Sequence, residues 1–150
     1  MEKIKEKNQE PFWKIKSLLD MNFEEWESLC DGCGICCLEK IEDMDTGEIK
    51  LTSVTCEHYS LEDCCCTIYE NRFTANPDCI QLTPKTIPKI IWLPETCAYR
   101  CFMEGRGLEW WHPLMSGDPN TVHQTGISIR SRSISGKYVH LEDLKNFIMD

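Results

Sequence analysis

Residues 26–38 read Trp26-Glu27-Ser28-Leu29-Cys30-Asp31-Gly32-Cys33-Gly34-Ile35-Cys36-Cys37-Leu38. Two C-x2-C spacings run directly into a vicinal pair of thiols. A two-residue gap lets both sulfurs turn onto one ion, and Gly32 and Gly34 supply the left-handed backbone and close approach that such a knuckle needs. Thiolates are soft donors, which selects zinc, Cu(I) or iron-sulfur clusters over magnesium or calcium. Adjacent side chains normally diverge, so Cys36 and Cys37 are expected to serve two metals or two sides of one cluster.

Outward from this knuckle, the chain carries eleven cysteines in all, the others being Cys56, Cys64, Cys65, Cys66, Cys79, Cys97 and Cys101. An extended backbone at 64–66 would send Cys64 and Cys66 to one side and Cys65 to the other, which makes Cys65 a bystander. A four-coordinate zinc or a [4Fe-4S] cube each takes four cysteines, so the chain can supply one or two centres. C-x2-C-x2-C followed by a distant cysteine is an iron-sulfur ligand order, and zinc fits the same donors equally well. The expected cofactor is therefore zinc or iron, the latter as an ion or an iron-sulfur cluster.

Disulfides are a poor alternative, since eleven is odd and the adjacent cysteines suit pairing badly. Residues 1–10, MEKIKEKNQE, are charged throughout, unlike a secretory leader with its apolar run of about 7–15 residues. The most apolar stretch, 87–93, is broken by Pro88 and Lys89 and is far too short to span a bilayer. The expected location is the cytoplasm, where thiols stay free unless a metal takes them. With 150 residues, 41% hydrophobic and 27% charged, the chain reads as a flexible charged leader at 1–10 and one cysteine-cluster metal-binding domain at 11–150.

A net charge of −9 argues against a nucleic-acid partner, which needs clustered Lys and Arg. The expected partners are a metal ion and, at the Trp-rich patch 108–114, another protein; neither nucleic acid nor membrane is expected.

The elements read from the pattern form an α+β fold: a small single domain of short helices and a small antiparallel sheet organised around a cysteine-rich metal centre. Phe12, Ile15 and Leu19 fall at helical spacing. Asn22 with Glu25 predicts a capping box for a second helix carrying Phe23, Trp26 and Leu29, which delivers Cys30. Asp45-Thr46-Gly47 predicts the turn of a hairpin between 38–44 and 48–54. Little periodicity follows, apart from a helical turn near Ile68 and Tyr69 and a turn at Asn76-Pro77-Asp78. Pro94 should open a helix over 96–104 that Gly105 stops, with Cys97 and Cys101 on one face. Ile127 and Ile129 alternate as a strand would, and Leu141, Leu144, Phe147 and Ile148 predict a terminal helix with one buried face.

From residue 11 to about 144 the chain resembles the YcgN-type cysteine-cluster proteins, a bacterial family of uncharacterised function related to a broader zinc- or iron-chelating domain. The resemblance is carried by Pro11-Phe12-Trp13, the 26–34 stretch, Cys36-Cys37-Leu38, Cys56, Cys64 and Cys66. It continues through Tyr69-Glu70, Arg72-Phe73, Pro77-Asp78-Cys79-Ile80, Trp92-Leu93-Pro94, Thr96-Cys97-Ala98-Tyr99-Arg100 and Trp111-His112-Pro113-Leu114. It implies chelation and no particular reaction. The ligand set it implies is Cys30, Cys33, Cys36, Cys37, Cys56, Cys64, Cys66, Cys79 and Cys97, with Cys65 and Cys101 as additions.

His58, His112 and His123 could join thiolates in a mixed site, but a packed His112 with its ring bonded to backbone is the better expectation. Asp31 and Asp78 read as turn formers before they read as hydrogen-bond partners of a metal ligand. No phosphate loop, dinucleotide fingerprint or H-E-x-x-H pattern occurs in the sequence. The functional expectation is an intracellular metal-binding protein; the alternative is an iron-dependent oxidoreductase or protein-modifying enzyme using the cysteine-bound metal.

Overall fold

Asp43 starts the reversal on which the sheet is built. Its Oδ1 accepts from the backbone N–H groups of Asp45 at 2.8 Å and Thr46 at 3.1 Å, an Asx-type turn that Gly47 completes at φ 73°. The chain returns on itself as β1, Leu38–Glu42, and β2, Ile49–Thr55, antiparallel with Leu38 opposite Thr55 and Glu42 opposite Ile49. This computed structural model describes residues 10–76, 79 and 81–149. The expected leader therefore lies outside the described residues but for Glu10, and the expected turn at 76–78 lies outside them but for Asn76.

Asn22 and Glu25 form the reciprocal capping box: the Asn22 side chain takes the Glu25 N–H at 2.8 Å and the Glu25 carboxylate takes the Asn22 N–H at 3.0 Å. That cap starts helix α2, Phe23–Ser28, which follows the shorter α1, Phe12–Ile15. Past its end Leu29 is fully buried among Leu18, Ile87, Leu93, Ala98 and Tyr99. Burying a leucine side chain is worth about 1.5–3 kcal/mol, so this anchor holds the chain where the cysteine knuckle begins. Tyr99 reinforces it, donating its hydroxyl to the Trp26 carbonyl at 2.7 Å with its ring 4.8 Å from that of Trp26.

Beyond the hairpin, β3, Tyr59–Ser60, pairs antiparallel with β4, Cys65–Cys66. Helix α3, Arg72–Ala75, follows a 3-10 turn at Tyr69–Asn71, where a helical turn is expected. Helix α4, Ala98–Met103, is followed by Gly105 at φ 73°. Two four-residue helices, α5 at Pro113–Ser116 and α6 at Thr121–Gln124, lead to β5, Ile134–Ser135, which joins β2 in parallel. The α+β class stands, with a mixed sheet of order β1-β2-β5 and a separate two-stranded piece.

Several expected elements differ from the pattern reading. Leu18 is buried where Leu19 is expected to be, and Ile15, Leu19 and Phe23 are 60%, 79% and 75% exposed; α1 ends after one turn, so the helical spacing never continues to residue 19. Helix α4 begins at Ala98 with Cys97 as its cap, which leaves Pro94 in the preceding turn. Residues 127–130 form a loop, because Ile129 spends its N–H on the Cys33 carbonyl at 2.9 Å rather than on a strand ladder. The terminal segment is a 3-10 helix, Leu141–Phe147, with Leu141 82% exposed. At three residues per turn Leu141, Leu144 and Phe147 line up on one face, yet only Leu144 and Phe147 are partly covered, and Ile148 is held by an antiparallel bridge to Thr52. No described helix is long and apolar enough to cross a membrane.

Candidate metal centre

All eleven cysteines are free thiols, and the fold gathers nine of them into two neighbourhoods. The first is a cavity of about 40 Å³ lined by Cys30, Cys33, Cys36 and Cys97 together with Asp31. Three of its thiols come from the knuckle. The fourth arrives from Cys97, the cap of α4, brought in by the packing of Leu29 against Leu93, Ala98 and Tyr99. Gly32 and Gly34, at φ 78° and 75°, supply the two left-handed steps, and Ile35–Cys37 closes the knuckle as a 3-10 turn.

Burial and mutual repulsion dominate the electrostatics of this cavity. Cys30 keeps one side at the surface, yet the protein packed around its thiol and the charge of Cys36 push it up to about 12. Burial and then the Asp31 carboxylate push Cys33 well above the ordinary thiol range. Cys36 rises through its contact with the Cys37 thiol and then through burial, and Cys97 rises through burial. Asp31 is 7% exposed; its Oδ1 accepts from the Cys33 N–H at 2.9 Å, the turn role expected of it, while its Oδ2 is buried without a hydrogen-bond partner. A cation reverses every one of these penalties, since positive charge favours thiolates and carboxylate alike.

The second neighbourhood surrounds the sheet end. Cys56 donates its backbone N–H to the Cys37 carbonyl at 2.7 Å, and the Asn76 side chain reaches the Cys56 sulfur at 3.6 Å. Cys79 is raised by burial, which Arg72 opposes, and it feels the charges of Cys66, Cys56 and Cys36. Cys37 and Cys64 pack against the buried cluster of Leu38, Tyr59 and Ile129. Lys40 stands between the two groups: its Nζ donates to the carbonyls of Cys36 at 3.0 Å and Leu38 at 2.7 Å and lies 3.9 Å from the Trp92 ring centre. Among the described residues, no three Cys, His, Asp or Glu side chains stand in an arrangement that holds one metal ion outright.

Cys65 and Cys101 belong to neither group. Cys65 is exposed, and opposite Ser60 in the β3–β4 pair it alternates away from Cys66. Cys101 is 1% exposed and donates its thiol to the Glu95 carbonyl at 3.3 Å, so its place one turn after Cys97 does not make the two a pair. We expect Cys65→Ser to leave metal content and melting temperature unchanged, within about 0.5 kcal/mol of stability. Cys101→Ser should keep the metal as well, its cost being confined to packing. Elemental analysis of both variants beside a thermal melt checks the pair.

The histidines are occupied elsewhere. His112 is 1% exposed; its Nε2 lies 2.8 Å from the Leu29 carbonyl and its Nδ1 accepts from the Leu114 N–H at 3.0 Å, which assigns the proton to Nε2. Both ring nitrogens are used, so the expected packing role holds. We predict that His112→Ala costs about 2–4 kcal/mol in a denaturant melt by orphaning the Leu29 carbonyl and leaving a cavity. His123 Nδ1 pairs with the Ser128 hydroxyl at 2.7 Å, and His58 lies 3.5 Å from the exposed Glu57 carboxylate. Lys40, Tyr59 and Arg130, the last donating through Nε to the Cys64 sulfur at 3.2 Å, stand beside the cysteines without a sequence signal, because none sits at a motif spacing from the cysteine it meets.

Comparison with known proteins points the same way as the donor set. A family described as "CxxCxxCC: Putative zinc- or iron-chelating domain" matches residues 29–98. The chain is 56% identical over 143 residues to a UPF0260 protein of Rhizobium johnstonii, covering 95% of this chain and 90% of the relative. It is 55% identical over 139 residues to a UPF0260 protein of Sinorhizobium fredii, covering 93% and 90%. A UPF0260 protein of Allorhizobium ampelinum is 55% identical over 141 residues, covering 94% and 89%. No solved structure matches the chain.

Proposed function

We propose, from the premise that this chain belongs to the UPF0260 protein family, that it binds zinc or iron through two groups of cysteine thiolates. The first group is Cys30, Cys33, Cys36 and Cys97, and the second is drawn from Cys37, Cys56, Cys64, Cys66 and Cys79. The observation that carries this reading is the cavity lined by four cysteines from two distant segments together with Asp31, one of whose carboxylate oxygens is buried without a partner. Such a site is costly without a cation and favourable with one. Its sulfur-rich donors fit the soft metals, and Cys36 and Cys37 would serve one group each. Eleven free thiols are consistent with a reducing compartment, the cytoplasm in this reading.

The reading fixes a pH dependence. In the metal-free chain the thiols of Cys30, Cys33, Cys36 and Cys97 are all raised, so at neutral pH they carry protons that a metal must displace. Binding therefore releases protons, and affinity rises with pH and falls as pH falls. A chelator should strip the metal markedly faster at about pH 6 than at about pH 8; equal loss at both would argue against thiolate ligation.

A second reading, an oxidoreductase or protein-modifying enzyme, finds one supporting feature. An open groove of about 530 Å³, lined in part by Trp26, Tyr69, Arg72 and Phe73, shares Leu82 with the cysteine cavity. A substrate lying there would reach the first group past Leu82. Iron, sulfide and zinc measured on protein isolated without oxygen test both readings together. Iron with sulfide supports a cluster and keeps the enzyme reading open, zinc alone supports a structural centre and removes redox chemistry, and neither metal overturns the proposal.

A further inference from the structure

Cys64 is the cysteine whose surroundings metal chelation by thiols alone does not explain. The Arg130 guanidinium donates through Nε to its sulfur at 3.2 Å across 66 residues of sequence. The Tyr59 side chain is 6% exposed and its hydroxyl is buried without a hydrogen-bond partner, packed in the same cluster as Cys37 and Cys64. The backbone is unusual at the same place. Among the described residues only Cys64, at φ 54°, and Ser131, at φ 65°, adopt a positive φ without being glycine, and Ser131 immediately follows Arg130. Such strain persists where the surroundings impose it, and it gathers at functional positions.

A neutral thiol is a weak hydrogen-bond acceptor and gives neither donor much reason to be there. A metal-bound thiolate is a strong acceptor, and donors around a ligating atom orient it and strengthen its hold on the metal. A buried hydroxyl with no partner is destabilising, and a thiolate beside it would offset that cost. We propose that Tyr59 and Arg130 are positioning residues that donate hydrogen bonds to the Cys64 sulfur when it ligates metal in the second group. This rests on the metal-binding reading above and adds to it the ligand role of Cys64 and the two side chains that hold it. Tyr59 also links the groups, because its hydroxyl lies against Gly34 of the knuckle, where an added Cβ would stand 2.5 Å from it.

The test is a double-mutant cycle on the protein as isolated. Metal transfer to a chromogenic chelator is followed in wild type, Tyr59→Phe, Arg130→Gln, Cys64→Ser and the Tyr59→Phe/Cys64→Ser double variant. Tyr59→Phe and Arg130→Gln should each weaken retention of part of the metal by about 10–100-fold. Arg130→Lys, which keeps the charge, should rescue part of the loss. In the Cys64→Ser background, Tyr59→Phe should add nothing. Metal-loaded wild type with unaltered retention in Tyr59→Phe, or an equal loss with and without Cys64, overturns this inference alone. Metal-free wild type overturns the reading beneath it.

Discussion

Cys33→Ser and Cys36→Ser should each lose metal and, with it, the cooperative fold of the region from 22 to 99. Both residues line the four-thiol cavity, and serine replaces a soft anionic donor with a neutral hydroxyl that neither zinc nor iron prefers. For a structural metal the binding free energy is itself folding free energy, about 10–16 kcal/mol for zinc-finger peptides at neutral pH. A domain of this size is stable by only about 5–15 kcal/mol in total, so a fraction of that loss is enough to unfold it. Cys33 adds a packing reason: it is 8% exposed in a cluster with Trp111 and Val122, and its carbonyl holds the Ile129 N–H. Metal content, circular dichroism and a denaturant melt, with Cys65→Ser as the control, decide the matter. Wild-type metal content in Cys33→Ser or Cys36→Ser would show that the ligands are misassigned.

The second large effect is steric and involves no donor atom. Gly34→Ala should destabilise the protein by about 2–5 kcal/mol, combining the left-handed penalty of about 1–2 kcal/mol with overpacking of about 1–3 kcal/mol. The added Cβ would stand 2.5 Å from the Tyr59 hydroxyl oxygen and 2.9 Å from two carbons of Ile129. Those neighbours are 6% and 3% exposed, so neither has room to retreat. Gly32→Ala separates the two contributions: its φ is 78°, yet an added Cβ there meets nothing within 4 Å. It should show the backbone penalty alone, and equal losses for the two variants would mean that the crowding around Gly34 is not felt.

The features legible in the sequence were those in which a residue acts on a neighbour three or four positions away. Asn22 and Glu25 cap a helix by bonding each other's backbone, and Asp43 to Gly47 reverse the chain using their own side chains and φ angles. Cys65 is exposed in strand β4, whereas Cys64 leaves the extended backbone expected of it at φ 54°. Elements decided by distant partners were not legible. Residues 127–130 have strand periodicity, but Ile129 docks on Cys33 instead. The terminal segment carries apolar residues at helical spacing, but winds as a 3-10 helix and exposes Leu141.

The same distinction runs through the site. The knuckle is one motif, whereas the arrival of Cys97 depends on Leu29 and Tyr99 packing across about seventy residues, as in the hydrogen bond from Tyr99 to Trp26 at a separation of 73. Arg130 meets Cys64 at a separation of 66, with no repeat or spacing to announce it. The hidden Asp31 oxygen was unreadable for a different reason. Its turn role is local and visible, but the burial that leaves Oδ2 without a partner is a property of the assembled cavity.

The proposed function requires thiols from separate segments to close on a metal that the fold is built around. Native mass spectrometry of reduced protein isolated without oxygen, repeated after treatment with a strong chelator and paired with a thermal melt of both samples, tests it most directly. The expected result is a mass excess equal to bound zinc or iron, with sulfide if a cluster is present, and loss of a cooperative melt when that mass is removed. A metal-free protein that already melts cooperatively, or one whose mass shows native disulfides, would contradict it.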